Sequence, residues 1–282
     1  MRIINSHCHL IEIEKVLGEN AEEKLSLLTS IPTFKDSKDV IPHVTANEIT
    51  RQMDDAGIEK TILFACICPI LYASNEFVAE NCIKYADKFI GFASIDPHQK
   101  TAVDDLDRAI NQLKLKGLKL HPPMQNFYTN DKKMWPVYDL ASQLDIPVVF
   151  HVGSTPFGSL CRLDQAYPVL IDEVAVAFPK LKIILTHLGT LWSNESFMVT
   201  EKNANVFIDT AAYPHEIEAL LTERLIKRVG EDKFIFGTDF PMPYEEHLHE
   251  MKDFVTCINN LKISDELKEK IFYKNLSQII KI

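Results

Sequence analysis

Five histidines, one aspartate and one lysine of this chain stand where short apolar runs end: His7 and His9, Lys119 and His121, His151, His187 and Asp239. Imidazole and carboxylate are the donor types that hold a divalent cation, zinc first, with iron, manganese, cobalt and nickel also suited. Residues two apart on a strand point to the same side. His7 and His9 can therefore share one ion, and Lys119 and His121 can face one cavity while Leu118 and Leu120 face away. Cys8, between the two histidines, is expected to point away from them. A lone strand-end histidine is ordinarily a hydrogen-bonded structural residue. Five with an aspartate, each at the end of a buried run, fit a metal site better. A second His-x-His, His247 and His249, lies in a stretch that reads as a helix, where rings two residues apart diverge by roughly 200°. Those two read as surface residues, and His43, His98 and His215 as structural residues of loops and turns.

The elements that must bring these groups together are eight apolar, β-branched runs at 2–6, 60–66, 89–95, 117–121, 147–151, 182–187, 205–209 and 233–238. Helical patterns separate them. Val103, Leu106, Ile110 and Leu113 recur at helical spacing in one, and Ile217, Leu220, Leu221, Leu225 and Ile226 in another over 214–229. Ile183-Ile184-Leu185 and Val148-Val149-Phe150 are apolar without a break, as strands buried on both faces are. The fold class is therefore α/β, and the rhythm predicts a single (β/α)8 TIM barrel over 1–282, whose strand ends meet at one mouth. An open doubly wound sheet is the alternative, but no Gly-x-Gly-x-x-Gly follows the first run. Residues 11–45 read as an insertion after strand one, lying over the mouth. Residues 264–282 read as a last amphipathic helix with Ser264 as its N-cap.

Composition sets the outer bounds. The 282 residues carry 30 Lys and Arg against 40 Asp and Glu, a net charge of −10, with 46% hydrophobic and 25% charged residues. This is the profile of a folded globular chain, neither disordered nor fibrous. The acidic balance speaks against a nucleic-acid partner, which would call for a basic stripe. The uncharged stretch 61–75 contains Pro69 and falls short of the ~20 residues of a membrane helix. Met1-Arg2-Ile3-Ile4-Asn5 is too short an apolar run for a secretory signal. The six cysteines include no Cys-x-x-Cys and read as reduced thiols, so the expected location is cytoplasmic.

Taken in order, His7-Cys8-His9, Gly117-Leu118-Lys119-Leu120-His121-Pro122, Phe150-His151-Val152-Gly153, Thr186-His187-Leu188-Gly189 and Phe236-Gly237-Thr238-Asp239-Phe240-Pro241 resemble the amidohydrolase superfamily. They are most similar to its amidohydrolase-related branch (amidohydrolase 2) of TIM-barrel metal-dependent hydrolases. The resemblance implies a divalent metal held by His7, His9, His151 and Asp239, with His187 either a second-site ligand or a catalytic base. It also suggests dimers. The branch often has Asp or Glu two residues before the first histidine, and in some of its decarboxylases an acid there binds metal; this chain has Asn5. A carboxylated strand-four lysine bridges two ions in binuclear members, whereas nuclease-like members carry Glu there. One ion with an unmodified Lys119 is the expectation here, and two ions bridged by carboxylated Lys119 the alternative.

The expected chemistry is hydrolysis of an ester, lactone or amide bond of a small molecule. Metal-bound water would be activated, Asp239 would relay the proton, and His187 and Lys119 would stabilise the oxyanion. The alternative is a metal-dependent decarboxylase of an aromatic or unsaturated acid, since the motifs do not separate the two. His121 and Arg162 are candidate substrate-binding residues. Tyr72, Phe157, Trp192 and Tyr213 follow strands and can wall an apolar pocket. Asp96 and Asp209, at the ends of strands three and seven, read as structural residues or as outer support for a ligand histidine.

Overall fold

The computed structural model describes residues 1–18, 20–31, 42–155, 157–241 and 249–281. Eight short parallel strands form its centre: β1 (Ile4–His9), β2 (Lys60–Phe64), β3 (Phe89–Phe92), β4 (Leu118–Leu120), β5 (Val148–Phe150), β6 (Ile183–Leu185), β7 (Val206–Asp209) and β8 (Phe234–Ile235). β1, β2 and β3 pair in order, as do β4 to β8. Two seams close the ring. At the first, Lys119 N donates to Ala93 O and Ala93 N to Gly117 O, both at 2.7 Å. At the second, Ser6 N donates to Phe236 O and His9 N to Phe240 O, at 2.9 and 2.8 Å. The molecule is thus the closed (β/α)8 barrel the runs predict, with seven strands shorter than their runs and β1 shifted past the end of its run to His9.

The interior and the outer core use alternate residues, as the pleat requires. Ile62, Phe64, Phe92, Val149, Ile184 and Ile235 pack inside the ring. Leu63, Leu118, Leu120, Val148, Phe150, Ile183 and Leu185 pack against the helices. β1 departs from this alternation in one informative place. Its register against β2 runs Asn5 to Thr61 and then Cys8 to Leu63, three steps against two. Ile4 belongs to the interior, so an unbroken pleat would turn Ser6 and Cys8 inward. The extra residue reverses the phase: Cys8 packs in the outer core, and His7 and His9 face the cavity.

Helices cover the outside, and their starts follow from short polar caps. Thr45, Ser74 and Ser264 Oγ atoms accept the backbone N–H of Glu48, Phe77 and Leu267. The helical pattern over 214–229 divides into Pro214–Leu220 and Glu223–Val229, because Thr222 caps the second piece by accepting Leu225 N. The insertion after β1 is pinned where it leaves and returns: Ile11 and Val44 exchange backbone hydrogen bonds at 3.1 and 2.8 Å. It carries the helices Ile13–Leu17 and Ala21–Thr29. No helix among the described residues is long and apolar enough to cross a membrane.

The last helical stretch, residues 265–279, seals the end of the barrel away from the strand-end histidines. Leu276, Ile279 and Ile280 complete the interior cluster. A π-helical turn, Lys270–Lys274, leaves Ile271 O to accept Phe236 N at 2.9 Å. Asn275 Nδ2 donates to Glu231 O and Phe234 O. Leu276 is fully buried, so Leu276→Ala is expected to cost about 2–5 kcal/mol. Urea unfolding should show this as a lower midpoint with an unchanged slope.

Candidate metal centre

The mouth of the barrel gathers the strand-end groups in one cavity. His7, His9, Lys119, His121, His151, His187 and Asp239 all line it. Among the described residues, two groups of donor atoms lie within 4.8 Å of one another: His7, His9 and Asp239, and His7, His187 and Asp209. In the first, Asp239 Oδ1 is 3.0 Å from His7 Nε2 and 3.2 Å from His9 Nε2, and the two Nε2 atoms are 3.3 Å apart.

The proton on His7 can be placed from its partners. Its Nδ1 is 2.8 Å from Asp209 Oδ2, and an ionised carboxylate only accepts, so Nδ1 carries hydrogen. Nε2 is then the atom turned to Asp239 and His9. A shared cation would satisfy nitrogen and oxygen lone pairs that converge on one point. The donors fit a divalent metal, with His7 and His9 supplying neutral nitrogen and Asp239 the charge. Burial lowers the His9 pKa below the ordinary imidazole range. Burial works to raise the Asp239 pKa, but His7 and then His187 overcome it and hold the carboxyl well below the usual range.

Two supports fix this arrangement. Asp209, at the end of β7 and buried, accepts His7 Nδ1 on one oxygen and the backbone N–H of His187 and Ala211 on the other, at 2.7 and 3.1 Å. Asn5 ties β1 to the loop after β8: Oδ1 accepts His7 N and Thr238 N, and Nδ2 donates to Thr238 Oγ1. Asn5 therefore supplies a staple for the loop that carries Asp239. His187, Leu188 and Asp239 hold left-handed backbone, φ 61, 49 and 53. Such a conformation costs about 1–3 kcal/mol for each non-glycine residue and concentrates at functional sites.

His151, which the resemblance implies as a ligand, lines the same cavity. It adds no donor to either converging group. Its Nδ1 lies 3.0 Å from His187 Nε2 and its Nε2 2.9 Å from Thr155 Oγ1. His187 Nδ1 donates to Ala211 O at 2.6 Å, so His187 Nε2 accepts from His151. The loops after β5 and β6 touch closely enough to permit this. A Cβ on Gly153, φ +93, would meet the Gly189 and Thr190 backbone at 2.8 Å. His121 stacks on His151, with centroids 3.9 Å apart. Burial pushes both of these imidazoles well below the ordinary range and takes His187 down to about 4.

Lys119 is the unusual group of the wall. It is 4% exposed, its Nζ has no hydrogen-bond partner among the described residues, and it lies 4.8 Å from the Phe64 ring centroid. Burial drives its pKa down to about 8, against the pull of Asp209 and Asp239.

Other candidates fall elsewhere. Arg162 is corrected: its guanidinium is exposed, pairs with Asp164 at 2.7 Å and donates to Tyr128 Oη, so it lines no part of the cavity. Phe157 and Tyr213 line the cavity; Tyr72 and Trp192 do not, Trp192 packing instead on Tyr167. Asp96 caps its own turn by accepting His98 N, so of the two strand-end acids only Asp209 reaches the site. His43 accepts Ile13 N and His98 bonds Gln125 O. His247 lies outside the described residues. His249 precedes the helix Met251–Asn260, so the helical reading does not reach it. Sequence spacing could not single out Asp209, because nothing along the chain says which strand-end acid faces His7.

Comparisons with known proteins follow this geometry. The family model Amidohydro_2, described as amidohydrolase, matches residues 4–275. Gamma-resorcylate decarboxylase of Rhizobium radiobacter is 24% identical over 82% of this chain and 85% of its own. The 2-keto-4-carboxy-3-hexenedioate hydratase of Sphingobium sp. strain SYK-6 is 21% identical over 99% and 96%. Among solved structures, 5-carboxyvanillate decarboxylase LigW of Sphingomonas paucimobilis superposes with a TM-score of 0.71 at 16% identity, covering 100% of this chain and 99% of that one.

The role of Asp209 is testable by removing its charge alone. Asp209→Asn is expected to weaken divalent-metal affinity by roughly 10–100-fold, read by competition with a chromophoric chelator. Asp96→Asn should leave that affinity unchanged.

Proposed function

The chain belongs to the amidohydrolase family whose model spans residues 4–275, and from that premise we propose that it is a metal-dependent lyase. Its substrate is a small aromatic or unsaturated carboxylic acid, and decarboxylation is the foremost reaction. The observation that carries this reading is Lys119, a buried ammonium without a hydrogen-bond partner among the described residues, in the wall of the metal-site cavity. Burying an unpaired cation is costly, and a substrate carboxylate is the group that would repay it. Leu10, Ile11, Val16, Leu71 and Phe157 supply apolar wall for the rest of such a molecule. The relatives named as a decarboxylase and a hydratase agree with this class.

His7, His9 and Asp239 would hold the divalent ion, zinc by preference of the donor set. When bound, the ion supplies Lewis acidity toward a substrate oxygen. Lys119 would grip the carboxylate, and the stacked His121 and His151 rings would flank it. As the C–C bond breaks, its electron pair stays on the substrate carbon, which takes a proton in place of carbon dioxide. Asp239 and His187, both in the cavity wall, would hold and pass that proton. The apolar wall limits water at the carbon.

Hydrolysis is the second reading. Two imidazoles and one carboxylate also suit water activation, with Asp239 as the base. A panel separates the two. Hydroxybenzoates and unsaturated dicarboxylates should release carbon dioxide, and a chelator should abolish the release. Turnover of esters, lactones or amides without carbon dioxide would reject the lyase.

Lys119→Gln is expected to raise KM for the carboxylate by roughly 10–100-fold, the worth of a charge-assisted hydrogen bond. The wild-type lysine is charged below pH about 8 and loses its proton above it. KM should therefore rise as pH climbs through that value, and the rise should vanish in Lys119→Gln.

A further inference from the structure

A second reactive group sits in the same wall. A short hairpin pairs Cys66–Ile67 with Tyr72–Ala73 just after β2. Cys66 and Cys68, two apart on the chain, fall on one side of it, with their Sγ atoms 3.5 Å apart in a thiol–thiol hydrogen bond. Both are free thiols. Cys66 is part-exposed and lines the metal-site cavity, while Cys68 is buried behind it. The intervening Ile67 is fixed on both sides, its N–H donating to Ser94 Oγ and its O accepting from Gln125 Nε2. The two sulfurs are therefore held against each other by the backbone. The reaction proposed above uses neither.

We propose that Cys66 and Cys68 form a reversible dithiol–disulfide site, oxidised by a hydroperoxide that enters through the cavity. The Cys66 thiolate sulfur attacks the terminal peroxide oxygen and the O–O bond breaks. The departing oxygen takes up a proton, and Cys66 becomes a sulfenic acid. The Cys68 sulfur then attacks the Cys66 sulfur. The S–S bond forms, the S–O bond breaks, and the hydroxide leaves as water with the Cys68 proton. Two thiols lose two electrons between them and the hydroperoxide gains both.

The surroundings favour Cys66 as the attacking sulfur. The hydrogen bond with Cys68, ahead of the opposing effect of burial, holds its thiol below the ordinary range, and Lys119 acts in the same direction. The sulfurs need to close from 3.5 Å to about 2.05 Å. That closure pulls on Ile67, whose carbonyl holds Gln125, whose Oε1 in turn accepts His121 N at 2.8 Å. The disulfide is thereby linked to the histidine stack of the cavity.

The test is hydrogen peroxide added to the reduced, metal-loaded protein. Intact mass is expected to fall by two hydrogens. Differential alkylation should show Cys66 and Cys68 protected and Cys82 and Cys161 reactive, and dithiothreitol should restore all six thiols. In Cys68→Ser, oxidation should stop at a Cys66 sulfenic acid that dimedone traps. Should that variant not fold, Cys161→Ser serves instead and should keep the loss of two hydrogens. Six alkylatable thiols, under peroxide that fully oxidises dithiothreitol in the same buffer, overturn the proposal. So does protection of Cys68 with Cys161 in place of Cys66.

Discussion

One carboxylate sets the geometry of the mouth. Asp209 is buried at the end of β7 and spends both oxygens, one on His7 Nδ1 and the other on the backbone of His187 and Ala211. The first contact decides which His7 nitrogen carries hydrogen and so turns Nε2 toward His9 and Asp239. The second holds the left-handed turn that presents His187. A buried ionised carboxylate is tolerated only when such partners replace its water. His7, the strained turn and the charge on Asp209 therefore stabilise one another, and none is independent of the other two.

Much of this was legible from residue order. All eight strands lie within or across the runs read from β-branched, two-face-buried segments, because strands inside a closed parallel barrel have no polar face to disguise them. His7, His9 and Asp239 were legible as strand-end donors. The bulge that turns His7 and His9 inward was not, since Ile4 and the histidines obey opposite phases of the same pleat and only pairing with β2 reveals the shift. The direction of the His151 ring was hidden for a related reason. It is set by Thr155 and by the close approach of Gly153 to Gly189, contacts between different loops. Arg162 was misread because its partner, Asp164, lies two residues away and satisfies it locally. The Cys66–Cys68 pair did leave a signal, a Cys-x-Cys on an extended segment, but Cys-x-x-Cys was the spacing sought.

The site also shows where the fold gives up stability. A buried lysine without a hydrogen-bond partner among the described residues, three left-handed non-glycine residues and a ring of low-pKa imidazoles lie in one mouth. Among the described residues, the interior strands and outer helices show no comparable concentration. Local strain and unpaid desolvation gathered in one place are what a pre-organised reaction centre requires, and the apolar ring beneath it supplies the rigidity.

The floor of the barrel has a bearing on biosynthesis. Leu276, Ile279 and Ile280 fill the interior from a segment that follows all eight strands, and Asp239 joins His7 and His9 only when β8 closes on β1. A nascent chain still held in the ribosomal exit tunnel has its first strands free and its lining of Ile62, Phe64 and Phe92 uncovered. Ion capture must await the emergence of Asp239, and burial of that lining the emergence of residues 276–280. Until then, those apolar side chains are exposed and prone to aggregation.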